Sequence, residues 1–336
     1  MDNYVEIEVK AVGLNFKDVM IAMGHLANEH IGIECSGIIT QVGSSVTDLK
    51  VGDRVCAIAE GTFASYIRCR ATSVARIDDG LSFEAASTIP VIWSTAYYSL
   101  LHVARLEKGE SVLIHAAAGG VGQAAIILAQ MIGAEIFVTV GSTEKKQYLM
   151  TAYNIPGERI FYSRDTSFAS QIQAATNGRG IDVVLNSLAG DALLATWQCL
   201  AHFGRFFEIG KRDIVTNTRL EMATFAKNVT FSSVDLVVVM TERPPLMKRL
   251  LTEVFDLHQK GVVKPITPLT VYAVSDVESG FRSLQSGKNM GKIAITFGED
   301  DMVKVCELHP SFNDGFSLIT ILRFRFANRK LLGRAC

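Results

Sequence analysis

The chain lacks any cysteine pattern that would indicate a disulfide framework or a zinc site. Its six cysteines are scattered over 336 residues, with no C-x-x-C pair, so we expect reduced thiols and no bound metal. Basic residues are not in excess, because 33 Lys and Arg are matched by 34 Asp and Glu. Nucleic acid is therefore not a predicted partner. The first residues, MDNYVEIEVKAVG, contain no apolar signal core, so we expect a cytoplasmic protein.

The chain has little that suggests a membrane span. One stretch, residues 116–134, carries no charged side chain and is long and apolar enough to be considered as a membrane span. It contains three glycines close together and two glutamines, and His115 precedes it. These residues argue against a span, so a membrane is not a predicted partner. A buried helical hairpin is a second alternative to the dinucleotide-binding interpretation of this stretch, which is described next.

Residues 111–140 are predicted to form the first unit of a dinucleotide-binding fold. A short apolar run at 111–116, typical of a buried strand, leads into a glycine-rich turn, then an apolar helix at 121–132 and a second strand at 135–140. This order is typical of that fold, in which the pyrophosphate lies against the helix N-terminus. The pattern here is A-x-G-x-x-G. The residues predicted to bind the cofactor in this turn are Ala117, Gly119, Gly120, Val121 and Gly122.

Two kinds of periodicity divide the chain. The first ~80 residues are predicted to be β-rich, beginning with the alternating run at 4–12 and interrupted by one short helix, which Asn15 and Asp18 are suited to start. The closely spaced strands at 31–58, without intervening helices, are typical of an antiparallel barrel or sandwich. From Ser82 onward, helices alternate with strands, which predicts a doubly wound parallel sheet. Two late strands, around 271–273 and 293–296, are expected to return to the first lobe. The chain is therefore of the α/β class. We assign residues 1–88 with 266–297 to the β-rich lobe, 89–265 to the nucleotide-binding domain, and 298–336 to a tail of unknown role.

The choice of cofactor is predicted from the end of the second strand of the parallel sheet. An acidic residue ~20 positions after the fingerprint binds the ribose of NAD and would repel a 2′-phosphate. This chain has Ser142 there, followed by Lys145 and Lys146. Hydroxyl donors and cations favour a phosphate and therefore NADPH. Tyr162 and Arg164, after the third strand, are further candidates for the adenosine side. The alternative is that both lysines are ordinary solvated charges on a helix.

A second group of polar residues follows the later strands of the predicted sheet. Lys211 lies in the motif EIGKRD, at the carboxyl end of a strand, where ligands bind in open α/β sheets. An ammonium group there can protonate a carbanion or stabilise an oxyanion, whereas a surface ion pair with Asp213 is the alternative. The polar turn after the previous strand adds Asn186 and Leu188 as predicted cofactor-binding residues.

Several stretches carry a resemblance to a known family, chiefly AVGLNFKDVM, HAAAGGVGQAA, NGRGIDVVLNSLAG, FGRFFEIGKRDI and FSSVDL. Over about residues 4–297 the chain resembles a zinc-free medium-chain dehydrogenase/reductase. More narrowly, it resembles the enoyl reductase domain of a highly reducing polyketide synthase of fungal type. The resemblance implies a Rossmann-like doubly wound parallel sheet plus a β-rich GroES-like substrate lobe. The strand expected before Tyr4 in such a reductase is not present in the chain.

The resemblance also implies an activity and its residues. The expected reaction is NADPH-dependent reduction of an enoyl thioester carried on an acyl carrier protein, with hydride added to the β-carbon and a proton to the α-carbon. Lys211 and Asp235 correspond to the proposed proton donors, and Asn15 is expected to face the active-site cleft. Other domains of a polyketide synthase are the expected partners, and the oligomeric state is left open. A quinone reductase of the same fold and a non-catalytic scaffold domain are the alternatives.

Overall fold

The computed structural model describes residues 2–26, 30–298 and 301–303. The predicted tail therefore lies outside the described residues, except for residue 298 and residues 301–303. The chain divides into two compact units. The first consists of residues 1–91, 239–252 and 267 onward, and the second consists of residues 92–238 and 253–266. Residues 239–252 thus group with the first unit, whereas the predicted domain boundaries place them in the nucleotide-binding domain.

The described residues form strands and helices that we number separately in chain order. The strands are β1 (Tyr4–Leu14), β2 (Glu34–Val42), β3 (Arg54–Ile58), β4 (Tyr66–Arg70), β5 (Val74–Arg76), β6 (Ser111–Ile114), β7 (Glu135–Val140), β8 (Ile160–Tyr162), β9 (Ile181–Asn186), β10 (Leu200–Glu208), β11 (Thr230–Ser233), β12 (Leu269–Ala273) and β13 (Lys292–Thr296). The helices are α1 (Phe16–Ala22), α2 (Phe83–Ala86), α3 (Pro90–Tyr97), α4 (Gly120–Ile132), α5 (Thr143–Tyr153), α6 (Ser167–Ala175), α7 (Asp191–Gln198), α8 (Arg212–Val215), α9 (Leu236–Glu242), α10 (Pro244–Gln259) and α11 (Val277–Gln285).

The first unit is built around a seven-stranded sheet in which β1 is central. The strand order is β12-β13-β1-β2-β3-β5, and β4 pairs with β1. The pairs are antiparallel apart from β12 with β13, which is parallel. Alternate residues are buried along the first part of β1, as expected for a strand with one face on a core. Because β13 pairs with β1, the predicted return of the late strands to this lobe is confirmed.

The second unit contains a six-stranded parallel sheet with the order β11-β10-β9-β6-β7-β8. This is the strand order of a dinucleotide-binding fold, and it reverses between β6 and β9. All residues of β6 and β9 are buried, as expected for central strands covered on both faces. The predicted doubly wound sheet is therefore confirmed. The structure places β7, β8, β9 and β10 so that their carboxyl ends share one edge of the sheet with the glycine-rich turn.

The structure differs from the predicted elements at a few positions. Strand β6 ends at Ile114, two residues early, because the chain turns at Ala116, which adopts a left-handed conformation with φ 49°. Helices α8 and α9 are not predicted from the sequence. Helix α9 begins where the Asp235 carboxylate accepts the N–H of Val237, a local start signal that its run of β-branched residues obscures. No helix in the described ranges is long and apolar enough to cross a membrane.

Candidate active site

The glycine-rich turn connects β6 to the N-terminus of α4. A Cβ on Gly122 would lie 2.5 Å from the Cα of Ala117, so this position must be glycine for the helix to approach the turn. A Cβ on Gly119 would contact the Ala116 carbonyl oxygen at 3.2 Å and nothing else within 4 Å. A side chain at position 119 would therefore crowd the main chain of the turn. The first turn of a helix leaves N–H groups without intrahelical partners, and these attract anions.

Ser142 lies between β7 and α5 and acts as the N-cap of the helix. Its Oγ accepts the N–H of Lys145 at 3.4 Å. A hydrogen bond from the same hydroxyl also lowers the pKa of Glu144, in the first turn of α5. Both the acceptor and the donor function of the hydroxyl are thus used within the helix start. The role of Ser142 as a phosphate ligand stays a prediction. A phosphate bound there would compete with the Glu144 carboxylate for the hydrogen bond from the Ser142 hydroxyl.

Positively charged side chains gather beside this helix start. Arg164 donates from Nε to the carbonyl oxygen of Gly141 at 2.9 Å. Lys146 donates to the carbonyl oxygen of Ile160 at 3.1 Å, and its Nζ lies 5.7 Å from the ring centroid of Tyr162. The pKa of Lys145 is lowered, first by burial and then by the charge of Arg164. Like charges held this close repel each other, so a bound anion would stabilise the cluster.

The ends of β9 and β10 are joined through Glu208, a residue to which the sequence pattern assigns no role. The Nδ2 atom of Asn186 donates to Glu208 Oε2 at 2.5 Å and to the carbonyl oxygen of Leu188 at 2.8 Å. The main-chain N–H of Gly210 donates to Glu208 Oε1 at 2.5 Å. Burial raises the pKa of Glu208 to about 7, against the lowering effect of these two hydrogen bonds. The sequence offered one signal for Glu208: it is a carboxylate at the end of an apolar strand, two residues before a glycine.

Lys211 and Asp235 form an ion pair at the same edge of the sheet. The Nζ of Lys211 lies 2.8 Å from Asp235 Oδ2 and 3.4 Å from the carbonyl oxygen of Val234. The alternative partner, Asp213, instead accepts the N–H of Gly190 at 3.0 Å. The structure thus brings together the two predicted proton donors. Their catalytic roles stay predictions.

Ser187 carries a buried hydroxyl without a hydrogen-bond partner in the described part of the chain. It lies in the turn after β9, between the predicted cofactor-binding residues Asn186 and Leu188. An unpaired buried hydroxyl costs about 1–3 kcal/mol, which a bound ligand could offset. This unpaired hydroxyl, the glycine-rich turn at the N-terminus of α4 and the cationic cluster all fit a phosphate-containing dinucleotide.

Asn15 belongs to the first unit, where a buried ion pair holds its side chain. Its Nδ2 donates to Glu34 Oε1 at 2.8 Å and to the carbonyl oxygen of Gly13 at 3.1 Å. Its Oδ1 accepts from Lys292 Nζ at 3.0 Å, and that ammonium pairs with Glu34 at 2.7 Å. The main-chain N–H of Asn15 also donates to Asp18 at the start of α1. The amide is thereby fixed in orientation, while its place in an active-site cleft stays a prediction.

No cluster of three or more His, Cys, Asp or Glu side chains suited to a metal ion occurs within residues 2–26, 30–298 and 301–303. The buried carboxylate Glu34 is paired with Lys292 at 2.7 Å. Metal independence stays a prediction that chelation can test.

Comparisons with known proteins agree with this architecture. Residues 1–79 match the alcohol dehydrogenase GroES-like domain, and residues 157–295 match the zinc-binding dehydrogenase family. The chain is 58% identical over 303 residues to highly-reducing polyketide synthase 1 of Aureobasidium melanogenum. That match covers 90% of this chain but only 14% of the relative, so the chain spans a small part of the curated protein's length.

Solved structures match over nearly their whole length. The CurK enoyl reductase is 36% identical, with a TM-score of 0.78 over 89% of this chain and 92% of that one. The quinone oxidoreductase of Escherichia coli, solved with NADPH, is 26% identical, with a TM-score of 0.75 over 88% and 92% of the two chains. The chain therefore belongs to the medium-chain dehydrogenase/reductase family of oxidoreductases, in the group that contains the enoyl reductases of polyketide synthases.

Proposed function

We propose that this chain is an enoyl reductase that uses NADPH to saturate the α,β-double bond of an acyl thioester. The observation that carries the proposal is the ion pair of Lys211 with Asp235 at the carboxyl edge of the parallel sheet. Ligands bind at this edge in open α/β sheets. The Lys211 ammonium group there can stabilise or protonate the negative charge that hydride addition creates on the thioester.

The cofactor proposal rests on the cations at the ends of β7 and β8. Lys145, Lys146 and Arg164 cluster beside the start of α5. Burial and, after it, the charge of Arg164 lower the pKa of Lys145. A 2′-phosphate would neutralise this repulsion, whereas the ribose hydroxyls of NADH would not. The E. coli quinone oxidoreductase, which has the same fold, was solved with NADPH.

The chemistry assigned to the chain's own residues concerns the proton. When bound, NADPH supplies a hydride to the β-carbon. Negative charge then develops on the thioester oxygen and the α-carbon, while the carbon–sulfur bond stays intact. The Lys211 ammonium either stabilises that oxygen or gives its proton to the α-carbon, and Asp235 orients the ammonium by the 2.8 Å contact.

The substrate proposal is an enoyl thioester on an acyl carrier protein, with other polyketide synthase domains as partners. Its support is the identity to a highly reducing polyketide synthase and the similarity to the CurK enoyl reductase. Because the chain covers 14% of that relative, the carrier and the neighbouring domains would be supplied by the rest of such a protein.

The test is NADPH oxidation by the purified chain with crotonyl-pantetheine and, separately, with a quinone. We expect oxidation with the thioester and a saturated product of the corresponding mass. Oxidation with the quinone alone would support a quinone reductase. No oxidation with either substrate, despite NADPH binding, would support a non-catalytic scaffold domain.

A further inference from the structure

Glu208 is a buried carboxylate that the proposed reaction does not use. It is the last residue of β10, is 2% exposed, and pairs in register with Asn186 on β9 and Ser233 on β11. Its Oε2 accepts from Asn186 Nδ2 and its Oε1 accepts from the N–H of Gly210. Its main-chain carbonyl accepts the N–H of Val234, which follows β11. Glu208 therefore contacts the last residue of β9 and the segments that follow β10 and β11.

Gly210 and the Glu208 carboxylate fit each other closely. A Cβ on residue 210 would lie 2.5 Å from Glu208 Oε1, so any larger side chain would displace the carboxylate. The preceding N–H, from Ile209, donates to the carbonyl oxygen of Asn186 at 3.0 Å. The turn that leads directly into Lys211 is thus attached to the end of β9 by a main-chain bond and by a carboxylate.

Asn186 passes this constraint to the turn after β9. Its Nδ2 donates to both Glu208 and the Leu188 carbonyl oxygen, and its Oδ1 accepts the N–H of Leu188 at 3.3 Å. Both N–H bonds of the amide are therefore directed at acceptors, and the amide orientation is fixed. The turn closed in this way contains Ser187, whose hydroxyl has no partner in the described part of the chain.

We propose that Glu208 is a positioning residue, whose carboxylate holds the turn containing Ser187 and the turn carrying Lys211 in one arrangement. The proposal rests on the proposed function, since Lys211 is the residue that stabilises the oxygen or delivers the proton in that reaction. Glu208 itself acts only through Asn186 and Gly210. Its two oxygens must both be acceptors, because both partners are N–H donors.

The ionised form of Glu208 is the form that meets this requirement. The charged groups that face it are Asp213 on α8, which raises its pKa, and Lys211, which lowers it. Burial is the largest influence and brings the pKa to about 7. Below that pH a proton occupies one oxygen, so one of the two N–H donors loses its acceptor. Turnover is therefore expected to fall as the pH drops through about 7.

The test compares Glu208→Gln with Asp182→Asn in the full chain. Asp182 is also a buried carboxylate of this sheet, but it lies near the amino end of β9, where it accepts hydrogen bonds from Ser111 and Arg179. Glu208→Gln mimics the protonated carboxyl and should lower kcat for crotonyl-pantetheine about 10- to 100-fold above pH 7. The variant should also lose the rise in kcat that the wild type shows as the pH increases through about 7. Its Kd for NADPH should change less than about 3-fold. Asp182→Asn should lower Tm while leaving kcat unchanged. Gly210→Ala should reproduce the kinetic loss if Glu208→Gln does not fold.

Hydrogen exchange supplies a readout that does not depend on the reaction. The N–H groups of Leu188 and Gly210 should exchange faster in Glu208→Gln, while those of β7 are unchanged. Faster exchange in a protein that does not reduce the thioester would sink the proposed function but leave the positioning role intact. Wild-type exchange and a wild-type pH profile in Glu208→Gln would overturn the inference. A loss of kcat in Asp182→Asn equal to that in Glu208→Gln would overturn it as well.

Discussion

The Nζ of Lys211 lies 2.8 Å from Asp235 Oδ2 at the carboxyl edge of the parallel sheet, although the two residues follow different strands. Lys211 follows β10 and Asp235 follows β11, and the parallel pairing of these strands brings their ends together. The two side chains are 19% and 31% exposed, so the pair is partly shielded and still accessible to a ligand.

The first prediction concerns this pair. Lys211→Ala and Asp235→Ala should each slow turnover by about 10²–10⁴-fold, because each removes part of the proton delivery. The Kd for NADPH should be nearly unchanged. Asp235→Asn is the matched control for the start of α9, since it keeps an acceptor for the N–H of Val237 and removes the charge. A double variant with wild-type rate and α-carbon configuration in deuterated solvent would remove both residues from the mechanism.

The second prediction concerns the cationic cluster. Lys146→Glu should weaken NADPH binding by about one to two decades, because a charge-assisted contact of roughly 1.5–3 kcal/mol is lost, and NADH binding should change little. Arg164→Leu should act in the same direction. The control for net charge is Lys108→Glu, because Lys108 is exposed and lies near the amino edge of the sheet, beside Gly133. Equal affinity of the wild-type protein for both cofactors would contradict this prediction.

The third prediction concerns the unpaired hydroxyl of Ser187. Ser187→Ala should leave the free energy of unfolding of the free protein unchanged or raise it by up to about 1 kcal/mol, because a buried group without a partner is removed. The same variant should gain less thermal stability from NADPH than the wild type, which melting curves with and without NADPH would measure. A less stable free protein with an undiminished NADPH effect would show that the hydroxyl is paired within the protein.

The fourth prediction concerns the buried ion pair of the first unit. Lys292 and Glu34 are 4% and 0% exposed, so Lys292→Met leaves an unpaired buried carboxylate. We expect a loss of about 3–5 kcal/mol in the free energy of unfolding by urea. The double variant Lys292→Met with Glu34→Gln should recover part of that loss. A double variant less stable than the single one by the full cost of Glu34→Gln would show that the two residues are not coupled.

The fifth prediction concerns metals. Activity should survive exhaustive chelation, because residues 2–26, 30–298 and 301–303 provide no cluster of three or more His, Cys, Asp or Glu side chains suited to an ion. Metal content is measured beside activity. A stoichiometric zinc lost together with activity would contradict it, and would agree instead with the zinc-binding description of the matching family.

Local features were readable from the sequence because neighbours along the chain decide them. Strand β7 has the predicted bounds, and α4 begins one residue before the predicted helix at 121–132 and ends with it. The close approach required of Gly122 is likewise observed. In each case the relevant partners lie within a few residues or follow from the period of apolar positions.

Partner choice among polar residues could not be read in this way. Lys211 has Asp213 two residues away, yet its ion pair is with Asp235, because the neighbouring strand places that carboxylate nearer. Glu208 had no assigned role until the register of β9 placed Asn186 opposite it. Glu34 is paired with Lys292, a residue 258 positions away in the sequence, because β13 pairs with β1 in the first sheet.

The sequence by itself determined the class of fold, the glycine turn and the residue types available at the edge of the sheet. These depend on backbone propensity, on the period of burial and on steric space within a short segment. Only the tertiary structure decided which of those side chains face one another. Strand order and register set the distances between groups far apart in sequence, and at those distances desolvation and charge select the pairs.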